Sequence, residues 1–559
     1  MKKSFSGKVW TKSEDLKDVE KVIEVLLKNR GLDGSEKIQD FLKPCLSKLH
    51  DPFDMAGMDK AVERILQAIE DEERIIVFGD FDTDGITSTV ILVETLRKLG
   101  AKVSYRIPNR NVDSHGLKDY LIDEIATKKV SLVITCDCGV NDCAEITHAK
   151  SLGIDVIVTD HHESDENNFP TDAVAVINPK RKDCSYAEKN LSGSAVAFKL
   201  MVALASKVLE GGELEEFIMN FLEICAIGIV ADCVELTGEN RILAKFGIEN
   251  LKKTEWTGLQ KLFERSGIVP ESINAETIGF SISPRLNASS RVGDVLKAVE
   301  LFLGAEDRHF ERLTVLENWN YERRDLTEST FKESLEQKID DASFQFFMED
   351  SWEPGILGLL CSRWVEELDR PAVAATVRED GKLTASCRAP EGFSIIKALK
   401  SCSGDLFEKV GGHDGAAGFL TKKENAKKIV EELENYFNSF ERRDPTVKVD
   451  AFLDAKIFLK MKEVADFLKY LAPFGKGNET PIFAVRNTEI VNFSTMGKNE
   501  NHARLVAKVD DEMYDFVNFF HGDFLKKIHI GKKMDIAFTV SENFFRGECK
   551  LQFRIVDGR

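Results

Sequence analysis

Three short apolar runs in this chain each end in an acidic residue, and that recurrence constrains the fold more than any other feature. Ile75-Ile76-Val77-Phe78 passes through Gly79 into Asp80, Leu132-Val133-Ile134-Thr135-Cys136 runs into Asp137, and Val156-Ile157-Val158-Thr159 runs into Asp160. Each run is followed by a helical pattern; after Gly85, for example, Ile86, Val90, Val93 and Leu96 recur at helical spacing. Unbroken apolar runs of this length suit strands buried on both faces, and their alternation with helices predicts a parallel sheet wrapped by helices. Val103 to Ile107 is a further strand candidate. In open α/β sheets, ligands bind at the carboxyl ends of the strands, which is where these acids emerge.

The first run leads into Gly79-Asp80-Phe81-Asp82-Thr83-Asp84-Gly85. Three carboxylates so close together repel one another unless a cation neutralises them. This stretch alone fits a divalent metal site or an acidic surface turn, because Asp and Gly are ordinary turn residues. The other segments decide between the two. Asp137-Cys138-Gly139, Asp160-His161-His162-Glu163 and Asp232, which closes a helical run from Phe221 to Val230, all supply metal-capable side chains. Mixed carboxylate and imidazole donors suit Mn2+ or Mg2+ better than a thiolate zinc site. So many acids point to two cations sharing a carboxylate, an arrangement that activates water and clamps the leaving oxygen in phosphoester hydrolysis. Cys136, Cys138 and Cys143 lack the second Cys/His pair of a zinc site and read as core and loop thiols.

Composition narrows the class. A chain of 559 residues holds roughly three or four domains, and 43% hydrophobic with 31% charged residues describes an ordinary globular protein. Eleven cysteines, with no apolar leader and no apolar run of membrane-spanning length, lead to the expectation of reduced thiols, a cytoplasmic location and no membrane association. The net charge of −19 excludes indiscriminate coating of nucleic acid but allows a local basic groove. The charge is uneven: Glu441 to Arg559 carries 20 Lys and Arg against 18 Asp and Glu, so the negative excess lies in the first 440 residues.

At this point the motifs resemble a known superfamily. Gly79 to Gly85, Asp137 to Gly139 and Asp160 to His162 are similar to the first three motifs of the DHH phosphoesterases, and Gly228 to Leu236 is similar to the fourth, with its acid at Asp232. Further segments, in order, resemble the RecJ exonuclease family within it: Ile282 to Arg291, Ser351 to Gly358, Arg370-Pro371, Gly411 to Gly418, Ala472 to Asn478 and Glu542 to Gly547. The resemblance implies an α/β chain with an N-terminal helical segment (1–70) and a parallel-sheet DHH domain (71–296). A connecting helix (297–342), a smaller α/β DHHA1 domain (343–440) and a C-terminal OB-type β-barrel (441–559) would follow. The family departs from this chain at Phe78, where many members have a metal-binding His, at His115 (usually Tyr), at Ser290 (usually Gly) and at Glu353 (commonly His).

The same resemblance implies roles. Asp80, Asp82 and Asp137 would hold one metal; Asp84, Asp137, His161 and Asp232 the other; His162 would meet the scissile phosphate or its water, and Asp160 would orient an imidazole. Arg110, Ser386 and Arg388 would recognise a 5′-phosphate. Gly411, Gly412 and His413 would approach a phosphate, and Asn287 and Arg291 would touch DNA or staple domains. In the last domain Phe474, Phe516 and Phe553 are stacking candidates, and Lys476, Lys498, His502 and Arg546 are groove candidates. The Glu322-Arg323-Arg324 face of the connecting helix is expected to be solvated. The implied activity is metal-dependent degradation of single-stranded DNA from 5′ to 3′ in repair and recombination. A single-strand-binding protein and a RecQ-type helicase are the implied partners, with a monomer as the default state. Two alternatives stay open: a phosphodiesterase of short oligonucleotides or cyclic dinucleotides, and a non-catalytic replication scaffold.

Overall fold

The computed structural model describes every residue except 1–2, 12, 111, 114, 165–167, 441–443, 498–501, 520–521 and 546–547. The three apolar runs are strands of one five-stranded sheet, in the order Lys102–Arg106, Arg74–Gly79, Leu132–Cys136, Asp155–Thr159, Ala175–Ile177. Every neighbouring pair is parallel. Alternate residues of each strand feed two apolar layers. Ile75 and Val77 join a core with the helices Thr83–Lys98 and Gly193–Ala205, while Ile76 and Phe78 join a second core with Asp119–Thr127 and Cys143–Ser151. Phe78 is wholly buried in that second layer, so its side chain belongs to packing. The strand order reverses between Arg74–Gly79 and Leu132–Cys136, and such a reversal opens a crevice at the strands' carboxyl ends. Asp80 and Asp137 follow those two strands.

A second sheet runs Lys409–Gly412, Ala416–Lys422, Lys382–Arg388, Ala372–Val377, Gln345–Met348, with only the last pair parallel. The link to it is not the single helix expected over 297–342. One helix, Leu296–Leu303, ends at Gly304, and a second spans His309–Ser334. Gly is a poor helix former, and Arg312 reaches back across the break to donate to the Ala305 carbonyl at 2.6 Å. The face expected to be solvated is only partly so. Glu322 and Arg324 are exposed, but Arg323 is half-buried, with a fully buried Nε.

The C-terminal strands Phe483–Met496, His502–Val509, Glu512–Asn518, Glu548–Gly558 and Lys533–Phe545 pair in that order, and the last returns to the first to close a barrel. Two of the proposed stacking residues are therefore corrected. Phe516 is wholly buried and Phe553 is 7% exposed; both pack with Phe458 and Phe538 inside the barrel. Alternation along a barrel strand sends every second side chain inward, and these two take inward positions. Phe474 packs, partly buried, against the same core. His502 meets the Phe519 ring at 5.4 Å; Lys498 and Arg546 lie outside the described residues.

The first 70 residues divide their packing between domains. Leu16, Val19, Val22 and Leu26 share a core with the barrel, and residues 9–10 and 15–16 add two short strands against residues 446–447 and 452–453. Met58, Val62 and Ile65 pack instead into the DHH-like core. Arg241, 2% exposed, ties the domains together by donating to the backbone carbonyls of Phe41, Tyr470, Leu471 and Ala472. Among the described residues no helix is long and apolar enough to cross a membrane.

Candidate metal centre and phosphate pocket

The acids converge at the crevice. Asp80, Asp82 and Asp137 offer oxygens within 4.8 Å of one another, and so do the donor atoms of Asp84, His161 and Asp232, and of Asp137, His161 and His162. Asp137 belongs to two of these groups. Its backbone φ is 62°, a left-handed conformation that is uncommon for a residue with a Cβ. The turn is held by an Asp137 N–H bond to the Thr159 carbonyl at 3.0 Å. Asp82 caps the helix Thr83–Lys98, accepting from the Asp84 and Gly85 N–H groups. Glycines let the carboxylates in: a Cβ at Gly193 would lie 2.4 Å from Asp137 Oδ1, and one at Gly228 would lie 2.5 Å from Asp84 Oδ1.

One contributor carried no motif in the sequence reading. The helix Gly193–Ala205 aims its N-terminus at Asp84, whose carboxylate accepts from the Gly193 N–H at 2.6 Å and the Ser194 N–H at 3.0 Å. An anion at a helix N-terminus satisfies orphan donors and meets the positive end of the helix dipole. The available signal was Ser192-Gly193 opening an apolar helix, with Ser192 as its N-cap.

The electrostatics describe a centre starved of positive charge. Burial, and then repulsion from the other acids, push Asp84 up to about 6 and raise Asp137 and Asp232 well above the ordinary carboxylate range. Burial also pulls His161 down to about 3, with the neighbouring His162 adding to the effect, so this imidazole is neutral at pH 7. One of its ring nitrogens bonds the Leu191 backbone. The other, Nε2, lies 3.1 Å from Asp137 Oδ1 and 3.7 Å from Asp232 Oδ2 without a hydrogen bond. That is how a metal-ligating histidine is prepared, with its second nitrogen anchored. Asp137 Oδ1 is likewise buried and unpartnered. Clustered carboxylates, an orphaned imidazole lone pair and an orphaned carboxylate oxygen fit divalent cations with oxygen and nitrogen preference.

His162 behaves differently. Burial opposes its charge, but Asp160 Oδ1, 2.7 Å from its Nδ1, outweighs burial and raises it to about 9. Burial likewise works against the Asp160 charge, yet His162 and His161 hold that carboxylate well below its ordinary value. The His162 ring stacks on His413 at 6.0 Å and 12°, so the second domain reaches the centre through its Gly411-Gly412-His413 strand end. His115 Nδ1 lies 3.2 Å from Asp80 Oδ1, and its ring is 4.3 Å from Phe81.

Beside Asp80 and Asp82 lies a basic counterpart. The Arg110 guanidinium sits 5.1 Å from the Phe81 ring centre and feels Asp80, Asp82 and Arg388. Ser386 and Arg388 are two apart on one strand and so share a face. Arg291 donates to the Gly355 carbonyl at 2.7 Å, joining the two domains. Asn287 accepts from the Thr83 N–H at 2.9 Å, which makes it a staple of the acidic loop.

Known protein families match the chain in three successive domains. The chain matches the DHH family, N-terminal domain, over residues 74–229, the DHHA1 domain over 341–439 and the RecJ OB domain over 453–557. It is 33% identical over 545 residues to the single-stranded-DNA-specific exonuclease RecJ of Bacillus subtilis, covering 96% of this chain and 67% of that one. It is 30% identical over 556 residues to that of Escherichia coli, covering 95% and 94%. The fold is similar to a Thermus thermophilus RecJ crystal structure with Mn2+ at a TM-score of 0.80 and 27% identity, covering 99% of this chain and 80% of that one. A second structure of that protein, with Mg2+, aligns at a TM-score of 0.76 and 26% identity, covering 99% and 78%. With its motifs in order across three domains and its similarity running nearly end to end, the chain belongs to the RecJ family of single-stranded-DNA-specific exonucleases.

Proposed function

We propose that this protein hydrolyses single-stranded DNA from the 5′ end to mononucleotides with two Mn2+ or Mg2+ ions. The observation that carries this reading is the shared crevice: three donor groups meeting at Asp137 and His161, with Arg110, Ser386 and Arg388 alongside. Asp80, Asp82 and Asp137 would hold one ion, and Asp84, Asp137, His161 and Asp232 the other. When bound, the ions supply the Lewis acidity that activates water and neutralises charge on the phosphate. His162, kept protonated by Asp160, donates a hydrogen bond to a phosphate oxygen. Neutral His161 keeps a lone pair directed at the acids. Arg110 and Arg388, with the Ser386 hydroxyl, clamp the terminal phosphate and so place the first phosphodiester over the centre.

In this reading residues 71–296 and 343–440 perform the chemistry, the connecting segment 297–342 spaces them, and residues 441–559 hold the strand beyond. The action belongs to DNA repair and recombination in the cytoplasm. The protein works as a monomer, with a single-strand-binding protein and a RecQ-type helicase as partners. The test is Mn2+-dependent digestion of 5′-phosphorylated single-stranded DNA, beside duplex DNA and a dinucleotide. Mononucleotides released from the 5′ end of the single strand are expected. Cleavage of the dinucleotide alone would assign a small-substrate phosphodiesterase, and strand binding without any cleavage would assign a scaffold.

A further inference from the structure

The expected phosphate pocket holds two arginines, but the structure gathers four. Arg291 lies on the helix Ser283–Val292, and the long helix His309–Ser334 packs across it, with the Trp319 side chain against Gly293 so closely that a Cβ there would lie 2.3 Å from the ring. Arg323 is one helical turn beyond Trp319 and therefore projects from the same face, toward Arg291. Burial first, and then the Arg110, Arg323 and Arg388 charges, push Arg291 down to about 9, which places all four guanidiniums in one electrostatic neighbourhood. Arg323 donates from Nη2 to Asn320 Oδ1 at 3.0 Å, while its Nε is fully buried and unpartnered. Among the described residues none of the four has a carboxylate within salt-bridge distance, although each carries five donors. Mutual repulsion of four half-buried cations is costly, and it signals a polyanion that belongs among them.

The count of charges sets how much polyanion. Asp80 and Asp82 also attract Arg110, and Asp82 attracts Arg291, but both acids are donors assigned to the first ion. A terminal phosphate carries at most about two negative charges, so with those acids on the metal four guanidiniums exceed what the 5′ end alone can neutralise. We propose that Arg323 binds an internal phosphodiester of the single strand, a phosphate distinct from the one held by Arg110, Ser386 and Arg388. The strand then leaves the pocket along the face of the long helix, with Arg291 between the two phosphate positions. This inference rests on the exonuclease reading above.

The test is binding of a 5′-phosphorylated single-stranded oligonucleotide, read by fluorescence anisotropy across a salt series with Ca2+ in place of Mn2+. Each phosphate contact on a single strand contributes about −0.7 to the slope of log K against log salt. Arg323→Gln is expected to weaken binding several-fold at low salt and make the slope shallower by about 0.7. Arg323→Lys, which keeps the charge, is expected to hold the wild-type slope. Equal slopes for wild type and Arg323→Gln, or a shallower slope for Arg323→Lys as well, would overturn the contact. A wild-type protein that binds no single strand would remove the parent reading, and with it this one, and is told apart by the wild-type curve alone.

Discussion

A single helix, Gly193–Ala205, touches two buried charged centres that have opposite character. Its N-terminus meets Asp84 and the acid cluster. Two turns on, Lys199 pairs with Glu239 at 2.6 Å, both side chains 2% exposed. The second centre is complete: Tyr186 Oη donates to Glu239 Oε2, the His50 N–H donates to Glu239 Oε1, and Lys199 also donates to the His50 carbonyl. The first is incomplete, with like charges crowded together, two orphaned polar atoms and a left-handed aspartate. Buried charge that is fully paired holds a structure together. Buried charge left unpaired, at a cost to stability, waits for something that the chain does not itself provide.

The largest contrast is expected from single substitutions in each centre. Asp137→Ala should reduce Mn2+-dependent cleavage to background, because it removes the shared donor; a digestion time course checks this. Lys199→Met leaves Glu239 buried without its cation and is expected to cost about 3–5 kcal/mol of stability, measured by denaturant unfolding. Equal damage to stability from both variants would break the comparison.

A smaller effect separates the centres without cleavage. Mn2+ binds only the folded acid cluster, so a concentration 100-fold above Kd stabilises by about 2.7 kcal/mol per site and raises Tm. Chelation should reverse the rise, Asp137→Ala should abolish most of it, and Lys199→Met should keep it. The smallest effect concerns Glu223, 5% exposed, with a buried unpartnered Oε2. Burial pushes its carboxyl up to about 8 from an ordinary 4.5. The folded protein then keeps a proton that the unfolded chain has released, so this group's contribution is fully present below pH 4.5 and fades as pH rises toward 8. Glu223→Gln should flatten the fall of Tm across that window relative to wild type; an unchanged difference between the two proteins at pH 5 and pH 8 would remove Glu223 from the buried titrating groups.

Part of this was legible in the chain. Short apolar runs ending in Asp mark parallel strands because burial on both faces demands unbroken apolar sequence, and the acids that follow must then sit at one sheet edge. The barrel's alternation was also legible, but not the fate of its aromatics. With 37 Phe in the chain most must be core, and nothing in the sequence singles out which of them stack; closure places Phe516 and Phe553 against Phe458 inside the barrel. Arg323 read as a solvated charge because it stands in the charged run Glu322-Arg323-Arg324, away from the apolar positions Leu313 and Leu316 of its helix; only tertiary packing buries its Nε.

The sequence by itself determined the α/β sheet, the order of the motifs and the identity of the metal-capable side chains, since these follow from local periodicity and residue chemistry. The tertiary structure alone decided which charges are paired. Segments far apart in the chain brought Lys199 to Glu239, the Gly193 N–H to Asp84, His413 to His162 and Arg323 to Arg291. Partnership between distant groups is set by packing geometry, and no periodicity within either segment records it.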